Sequence, residues 1–200
     1  MRVPDGDSEL IQIVDANFAD AARRAGPHLA CRVGCTQCCH GAFAINALDA
    51  LRLRSGMRTL RAADPETAKA IQERAHAWIA EHGANFPGDP ATGLLGCSEE
   101  DRARFDDFAN EAACPALDPA TGRCGVYAWR PMTCRVFGPP IRSSNEDGSE
   151  GLGHCELCFT AVTQEEIAGS EMAVPHEVEA ELLQQMGDQS ATVVAFALLR

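Results

Sequence analysis

Four cysteines lie within nine consecutive residues of this chain, and no other sequence feature constrains the fold as strongly: Cys31, Cys35, Cys38 and Cys39. An isolated cysteine is commonly a small buried hydrophobic residue. Four in one short segment are instead typical of metal ligands or redox groups. Disulfides are not needed for stability, because a chain of 200 residues can bury an adequate core. Metal binding is therefore the leading hypothesis.

Later cysteines extend this candidate site in two blocks, a regularly spaced trio and a CxxC pair. The candidate metal ligands are Cys31, Cys35, Cys38, Cys39, Cys114, Cys124, Cys134, Cys155 and Cys158. Nine cysteines exceed one four-ligand site, so either two metals or clusters share them, or one site takes four and the others are redox-active or buried. Thiolates suit an iron-sulfur cluster or iron, and alternatively zinc. Cys97 lies alone in a linker rich in Gly and Pro (residues 83–97) and is predicted to be a bystander.

The charge of the chain argues against two classes of partner. The net charge is −12, which repels nucleic-acid backbones and anionic lipids. The longest apolar stretch, the C-terminal ATVVAFALL, is far shorter than the roughly 20 residues of a spanning helix, and we predict a buried helix or strand there. The acidic N-terminus lacks the apolar segment of a secretory signal. We expect a cytoplasmic protein that binds a metal ion or cluster, with a protein as a further candidate partner and with neither nucleic acid nor membrane.

Apolar periodicity predicts a mainly α fold of four to six helices around an irregular cysteine-rich metal-binding centre. This centre is expected to bring together residues 31–39 and 114–134, with residues 155–158 as a further candidate. We interpret residues 1–200 as a single domain with a cysteine-cluster core at 28–160 and a C-terminal helical segment at 161–200.

Capping residues and apolar spacing locate the individual helices. Helices are predicted over residues 8–25, over 46–60 with Gly56 as a candidate break, over 64–83, over a short acidic segment at 98–108, and in two segments after Cys158, the second starting near Pro175. Between the helices, the Asp118-Pro119-Ala120-Thr121-Gly122 stretch has the residues that turns require. This turn is predicted to bring Cys114 near Cys124, and the polar residues 142–153 are predicted to form a surface loop.

Three segments within residues 31–138 carry a family resemblance: CTQCCHG, AINALDALRL and CPALDPATGRCGVYAWRPMTCRVFG. They resemble the cysteine-cluster proteins of the YkgJ type, described as a zinc- or iron-chelating domain. The most specific combination comprises Cys114, Gly122, Arg123, Cys124, Tyr127, Arg130, Pro131, Cys134 and Arg135. The usual opening of that family is CxxCxxCC, whereas three residues separate Cys31 from Cys35 here. The resemblance implies metal chelation, with an iron-sulfur cluster among the options, and implies no particular reaction.

Two cysteine patterns also match other classes of protein. Cys31, Cys35 and Cys38 spell CxxxCxxC, with which radical SAM enzymes hold a four-iron cluster, but the alternating strands and helices of their barrel are missing. The CxxC pair at Cys155 and Cys158 suits a thioredoxin-like redox role, although the neighbouring glycines indicate a loop instead of a βαβ unit.

Polar neighbours of the cysteines have two candidate roles each. His40 and His154 are either nitrogen ligands or solvated loop residues. Arg130 and Arg135 either stabilise thiolates or form salt bridges. Asp49 is either an oxygen ligand for iron or the third residue of a helix.

The favoured function is a metal-binding module that structures a surface for a partner or carries metal or electrons, and the alternative is an iron or iron-sulfur dependent redox enzyme. A closed all-cysteine site favours the first, whereas an exchangeable position beside a concave pocket favours the second. The sequence has no Gly-rich phosphate loop, Ser-His-Asp set or HExxH motif, so catalytic residues are not predicted.

Overall fold

A computed structural model describes residues 2–144 and 150–200 of the chain. Within these ranges it has eight α-helices and four antiparallel sheets of two strands each. The helices are α1 (Asp7–Ala25), α2 (Ala47–Ala63), α3 (Pro65–His82), α4 (Glu99–Asp106), α5 (Met132–Val136), α6 (Gln164–Gly169), α7 (His176–Met186) and α8 (Val194–Leu199). The strands are β1 (Ala44–Asn46), β2 (Gly88–Asp89), β3 (Leu94–Leu95), β4 (Leu117–Asp118), β5 (Arg123–Cys124), β6 (Ile141–Ser144), β7 (Glu150–Gly153) and β8 (Ala191–Val193).

The predicted mainly α fold with irregular cysteine segments is confirmed. The prediction of four to six helices is too low for the described residues, because it did not include the five-residue α5 and left the segment of the six-residue α8 as either a helix or a strand. Helices this short do not repeat an apolar period often enough to be recognised in sequence. None of the helices in residues 2–144 and 150–200 has the length and apolar character needed to cross a membrane.

Helix α2 begins at a side-chain cap and continues through the glycine where a break was predicted. The Asn46 side chain accepts a hydrogen bond from the Asp49 backbone N–H at 2.9 Å, which satisfies one donor of the first turn. The predicted break at Gly56 is wrong, since α2 is continuous from Ala47 to Ala63. A Cβ atom at Gly56 would lie 2.5 Å from the Trp129 ring. The glycine therefore makes room for a packed indole.

One compact unit consists mainly of Thr36–Met132 and Met186–Arg200. Its core forms where α8 packs against α2 and α3, and Leu53, Ile71 and Leu198 are at most 1 % exposed there. Strand β8 pairs antiparallel with β1, with Val193 opposite Ala44. The C-terminal stretch predicted as a helix or a strand is therefore both, since β8 leads directly into α8.

A second compact unit consists of Pro4–Cys35 and Thr133–Gln185. Helix α1 packs against α6, and the buried Arg135 guanidinium pairs with Asp15 of α1 at 2.8 Å. The predicted surface loop at 142–153 is wrong at both ends, where β6 and β7 form a hairpin, and residues 145–149 of that prediction lie outside the described residues. The single-domain arrangement, with its division at residue 160, stays a prediction.

Candidate metal centres

Eight of the ten cysteines fall into two groups of four, one in each compact unit. The paired-cysteine cluster comprises Cys38, Cys39, Cys114 and Cys124, whose thiols interact electrostatically with one another. The CxxC cluster comprises Cys31, Cys35, Cys155 and Cys158, which interact in the same way. No disulfide joins any of the ten cysteines, all of which belong to the described residues.

Backbone hydrogen bonds hold the two halves of the paired-cysteine cluster together. Residues Gln37–Cys39 form a single 3-10 turn. The Cys114 N–H then donates to the Cys39 carbonyl at 2.7 Å, and the Gly41 N–H donates to the Ala112 carbonyl at 2.9 Å. This short ladder fixes Cys39 beside Cys114, although 75 residues separate them in sequence.

The β4–β5 hairpin adds Cys124 to the same cluster. Leu117 lies opposite Cys124 in the hairpin, and the Asp118 carboxylate closes the turn by accepting from the Ala120 N–H at 3.0 Å and the Thr121 hydroxyl at 2.6 Å. These two bonds lower the pKa of Asp118, since they stabilise the ionised form. The predicted proximity of Cys114 and Cys124 is confirmed, and both side chains pack against the core of their unit.

Cys38 and Cys39 share a proton through a hydrogen bond between their side chains. This bond lowers the pKa of Cys38 to about 7, with help from the Arg130 guanidinium and against the effect of burial. The same bond, followed by burial, raises the pKa of Cys39. Of the two thiols, Cys38 therefore loses its proton more readily than Cys39. Arg130 is held nearby because its guanidinium stacks over the Tyr127 ring at 4.0 Å.

Burial keeps the other two thiols of this cluster protonated. Desolvation raises the pKa of Cys114 to about 12 and also raises the pKa of Cys124. A bound divalent cation reverses this preference, because its charge favours thiolates over thiols. Four soft donors in one partly desolvated group are the ligand set that zinc and iron-sulfur clusters use.

Turns and a backbone clamp build the CxxC cluster. The Cys158 N–H donates to the Cys155 carbonyl at 2.9 Å and closes the CxxC turn, while the Cys155 N–H donates to the Gly138 carbonyl at 3.2 Å. The Ala30 N–H points at the Cys158 sulfur at 3.3 Å. Cys155 and Cys158 are 7 % and 1 % exposed and belong to the apolar core of their unit.

The first arm of the CxxC cluster lies closer to solvent. Cys31 is an exposed residue, yet its thiol hydrogen-bonds with that of Cys158. Desolvation and the neighbouring thiols Cys158, Cys35 and Cys155 raise the pKa of Cys31 to about 12. Desolvation also raises the pKa of Cys155, followed by the influence of Cys158.

Within residues 2–144 and 150–200, no three or more His, Cys, Asp or Glu side chains are already arranged to hold a metal ion. The thiols of both clusters engage one another in hydrogen bonds instead. Ligation therefore requires these side chains to turn from their mutual hydrogen bonds toward a common ion, with loss of the thiol protons.

Several of the other candidates from the sequence take part in contacts outside these two groups. Asp49 occupies the third position of α2, and its Oδ1 accepts from Arg52 at 2.6 Å and from the Met132 N–H at 2.9 Å, which assigns it a structural role. Cys134 is half-buried on α5, and Cys97 is exposed just before α4. His154 directs Nδ1 to the Cys155 carbonyl at 3.1 Å, and His40 forms an isolated bridge with Ala113.

Two backbone positions of the candidate centres were missed in sequence. Gly138 has a left-handed φ of 125°, and a Cβ atom there would lie 2.6 Å from the Cys31 sulfur. Ala30 contributes only its N–H to Cys158. The glycine that ends CRVFG was a usable signal, because a glycine next to a ligand block indicates a close approach of the backbone. Ala30 gives no sequence signal, because any residue except proline offers the same donor.

Comparison with known protein families agrees with this donor chemistry. A family model described as "Putative zinc- or iron-chelating domain", with the name CxxCxxCC, matches residues 30–156. The matched segment contains every candidate ligand except Cys158. No curated protein and no solved structure matches the chain.

Proposed function

This chain belongs to the CxxCxxCC family of zinc- or iron-chelating domains, and we propose that its paired-cysteine cluster is the metal site of that family. Cys38, Cys39, Cys114 and Cys124 would supply four thiolates to one zinc or iron centre. The protein would then act as a binding or accessory module. The single observation that carries this proposal is the backbone ladder that joins Cys39 to Cys114, because it brings two distant cysteine blocks into one group.

The ligand set favours a closed coordination sphere. Four thiolates fill the tetrahedral sphere of zinc and leave no position for water or substrate, as in structural sites. A cavity of about 520 Å³ in the same unit is lined by residues such as His82, Arg104 and Phe108, and in the described part of the chain no cysteine is among its lining residues. A substrate held in this particular cavity would therefore not be lined by the proposed ligands.

The surrounding residues have definable roles once the metal binds. The metal would supply positive charge that stabilises the thiolates and would connect the two halves of the cluster. Cys38 would lose its proton most readily, because its pKa is lowered, whereas the raised pKa values of Cys39, Cys114 and Cys124 mean that the metal must displace their protons. Arg130 would offset part of the negative charge of four thiolates, since its guanidinium already interacts with Cys38 and Cys124.

Exposed apolar side chains on the cysteine-bearing segments support a module that meets a protein partner. Tyr127, three residues after Cys124, is 63 % exposed. Val33 and Leu157, each between two cysteines of the CxxC cluster, are 77 % and 49 % exposed. Tyrosine in particular is enriched where proteins bind one another.

The alternative is an iron or iron-sulfur dependent redox enzyme. The lowered pKa of Cys38 favours this candidate in one respect, because the thiolate is the reactive form of cysteine. An iron-sulfur cluster uses the same four-thiolate donor set. A measurement of acid-labile sulfide distinguishes an iron-sulfur redox enzyme from a metal-binding module without a cluster.

The test is anaerobic purification followed by zinc, iron and sulfide analysis of the wild type, the Cys114→Ser/Cys124→Ser variant and a Cys97→Ser control. We expect the double variant to lose one equivalent of metal while the Cys97→Ser protein retains the wild-type content. Zinc, or iron without sulfide, supports the accessory module, and iron with sulfide supports the redox alternative. An unchanged metal content in the double variant would contradict the assignment of this cluster.

A further inference from the structure

The CxxC cluster shares no residue with the site proposed above, and we infer that it is a second metal site, which binds one soft divalent ion of the zinc class through Cys31, Cys35, Cys155 and Cys158. This inference does not depend on the first site, because its four donors lie in the other compact unit. Cys158 also lies beyond the segment that the family model matches.

The four donors come from two short turns that approach each other. The Cys35 N–H donates to the Arg32 carbonyl at 3.0 Å, which closes the CxxxC turn, and the Cys158 N–H closes the CxxC turn. The Phe159 N–H donates to the His28 carbonyl at 2.9 Å and connects the two arms. Two short chelating loops, each with two thiols, form the ligand arrangement of four-cysteine zinc sites.

The environment of Cys158 suits a thiolate held by a metal. Its side chain is 1 % exposed, in a core formed with Ala25, Phe159 and Ile167. The Ala30 N–H that points at its sulfur at 3.3 Å is a donor that stabilises negative charge on sulfur. Cys158 also hydrogen-bonds with Cys31 and with Cys155, so one buried sulfur contacts both arms. The negative charge of a buried thiolate is unfavourable without an opposite charge nearby. A bound divalent cation would supply that opposite charge.

Gly138 positions both arms of this site. Its carbonyl accepts the Cys155 N–H at 3.2 Å, while its missing side chain leaves the space in which the Cys31 sulfur lies. A Cβ atom there would come within 2.6 Å of that sulfur, so the Cys31 sulfur would have to move from this position. Its φ of 125° is also a conformation that glycine adopts and other residues avoid. Gly138 is therefore a positioning residue for the second metal.

The decisive experiment counts metals in two complementary double variants. We expect two equivalents per chain in the wild type and one in Cys155→Ser/Cys158→Ser. The Cys114→Ser/Cys124→Ser protein should also keep one equivalent of metal, and that remaining metal is the one bound by the CxxC cluster. An unchanged content after replacement of Cys155 and Cys158 would overturn the second site and leave the first intact. A loss confined to that variant, with no loss in Cys114→Ser/Cys124→Ser, would support the second site while refuting the first.

A glycine series tests the geometry with a spectroscopic readout. In the Cys114→Ser/Cys124→Ser background, Co²⁺ bound to the CxxC cluster should give thiolate-to-cobalt charge-transfer absorption, and Gly138→Ala should reduce its intensity at least tenfold at equal cobalt. Two variants serve as controls. Gly26→Ala controls for backbone strain, because Gly26 has a left-handed φ but open space around it. Gly153→Ala controls for the added methyl group, because Gly153 has open space and no left-handed φ. Equal absorption in Gly138→Ala and both controls would overturn the positioning role. If Gly138→Ala fails to fold, Cys31→Ser in the same background must reduce the absorption, because one of the four thiolates is lost, and an unchanged absorption would overturn the assignment.

Discussion

Replacement of Asp49 by alanine should destabilise the protein strongly without removing metal. The Asp49 and Arg52 side chains are 2 % and 4 % exposed and are joined at 2.6 Å. Breaking a buried ion pair from one side costs about 3–5 kcal/mol, because the remaining charge stays buried. The Met132 N–H, which donates to the same carboxylate at 2.9 Å, would also lose its acceptor, a cost of roughly 1–3 kcal/mol for a buried donor.

These two contributions overlap because both involve one carboxylate, so we expect a total loss of about 4 kcal/mol in the free energy of unfolding. At roughly 2–4 °C per kcal/mol for a chain of this size, the melting temperature should fall by about 8–16 °C. Asp49→Asn retains an oxygen acceptor for Met132 and should show an intermediate loss. Urea unfolding followed by far-ultraviolet circular dichroism measures each change.

Asp20 provides a matched control, because it also pairs with arginines on its own helix, but at the surface. Its side chain is 49 % exposed and that of its partner Arg23 is 69 % exposed, so Asp20→Ala should cost less than about 1 kcal/mol. Equal, small losses for Asp49→Ala and Asp20→Ala would refute the reasoning from burial. Loss of one metal equivalent with unchanged stability would instead make Asp49 a ligand.

Three further predictions concern packing, pH and metal exchange. Gly56→Ala should destabilise the protein by about 1–3 kcal/mol in urea unfolding, because the new methyl group meets the Trp129 ring at 2.5 Å, and no change would show that the indole moves freely. Metal affinity at the paired-cysteine cluster should weaken as pH falls, because burial raises the pKa of Cys114 to about 12 and that of Cys124, so binding must release their protons. Competition titrations between about pH 6 and about pH 9 measure how steeply metal affinity changes with pH. A pH-independent affinity would contradict thiolate ligation. A chelator should remove metal from the CxxC cluster before the paired-cysteine cluster, because Cys31 is exposed. The Cys114→Ser/Cys124→Ser protein retains only the CxxC cluster and should therefore lose its metal faster than the Cys155→Ser/Cys158→Ser protein. The reverse order would contradict this prediction.

Local chemistry was enough to predict several elements of the fold. Asn46 and Asp64 cap the helices that were assigned to them, because a cap requires only residues three positions apart. The Asp118 turn was predictable for the same reason. In contrast, Gly56 was misinterpreted, since its role depends on Trp129, 73 residues later in the sequence.

The sequence predicted that the cysteines exceed a single group of four, but not which cysteines belong to each group. Nine candidates implied more than one four-ligand site, yet spacing alone did not indicate that Cys38 and Cys39 separate from Cys31 and Cys35. That division depends on hydrogen bonds between distant segments, such as the bond from Cys114 to Cys39. Long-range pairing of this kind is set by the tertiary fold and leaves no periodic signal in the chain.

X-ray absorption at the zinc and iron edges of anaerobically purified protein tests the central claim, metal ligation by cysteine thiolates, most directly. We expect a first shell of four sulfur atoms per metal, at about 2.3 Å if the metal is zinc. For iron, additional iron–iron scattering would identify a cluster on the same donors. A first shell dominated by nitrogen or oxygen, or a folded protein that contains neither metal, would contradict the account.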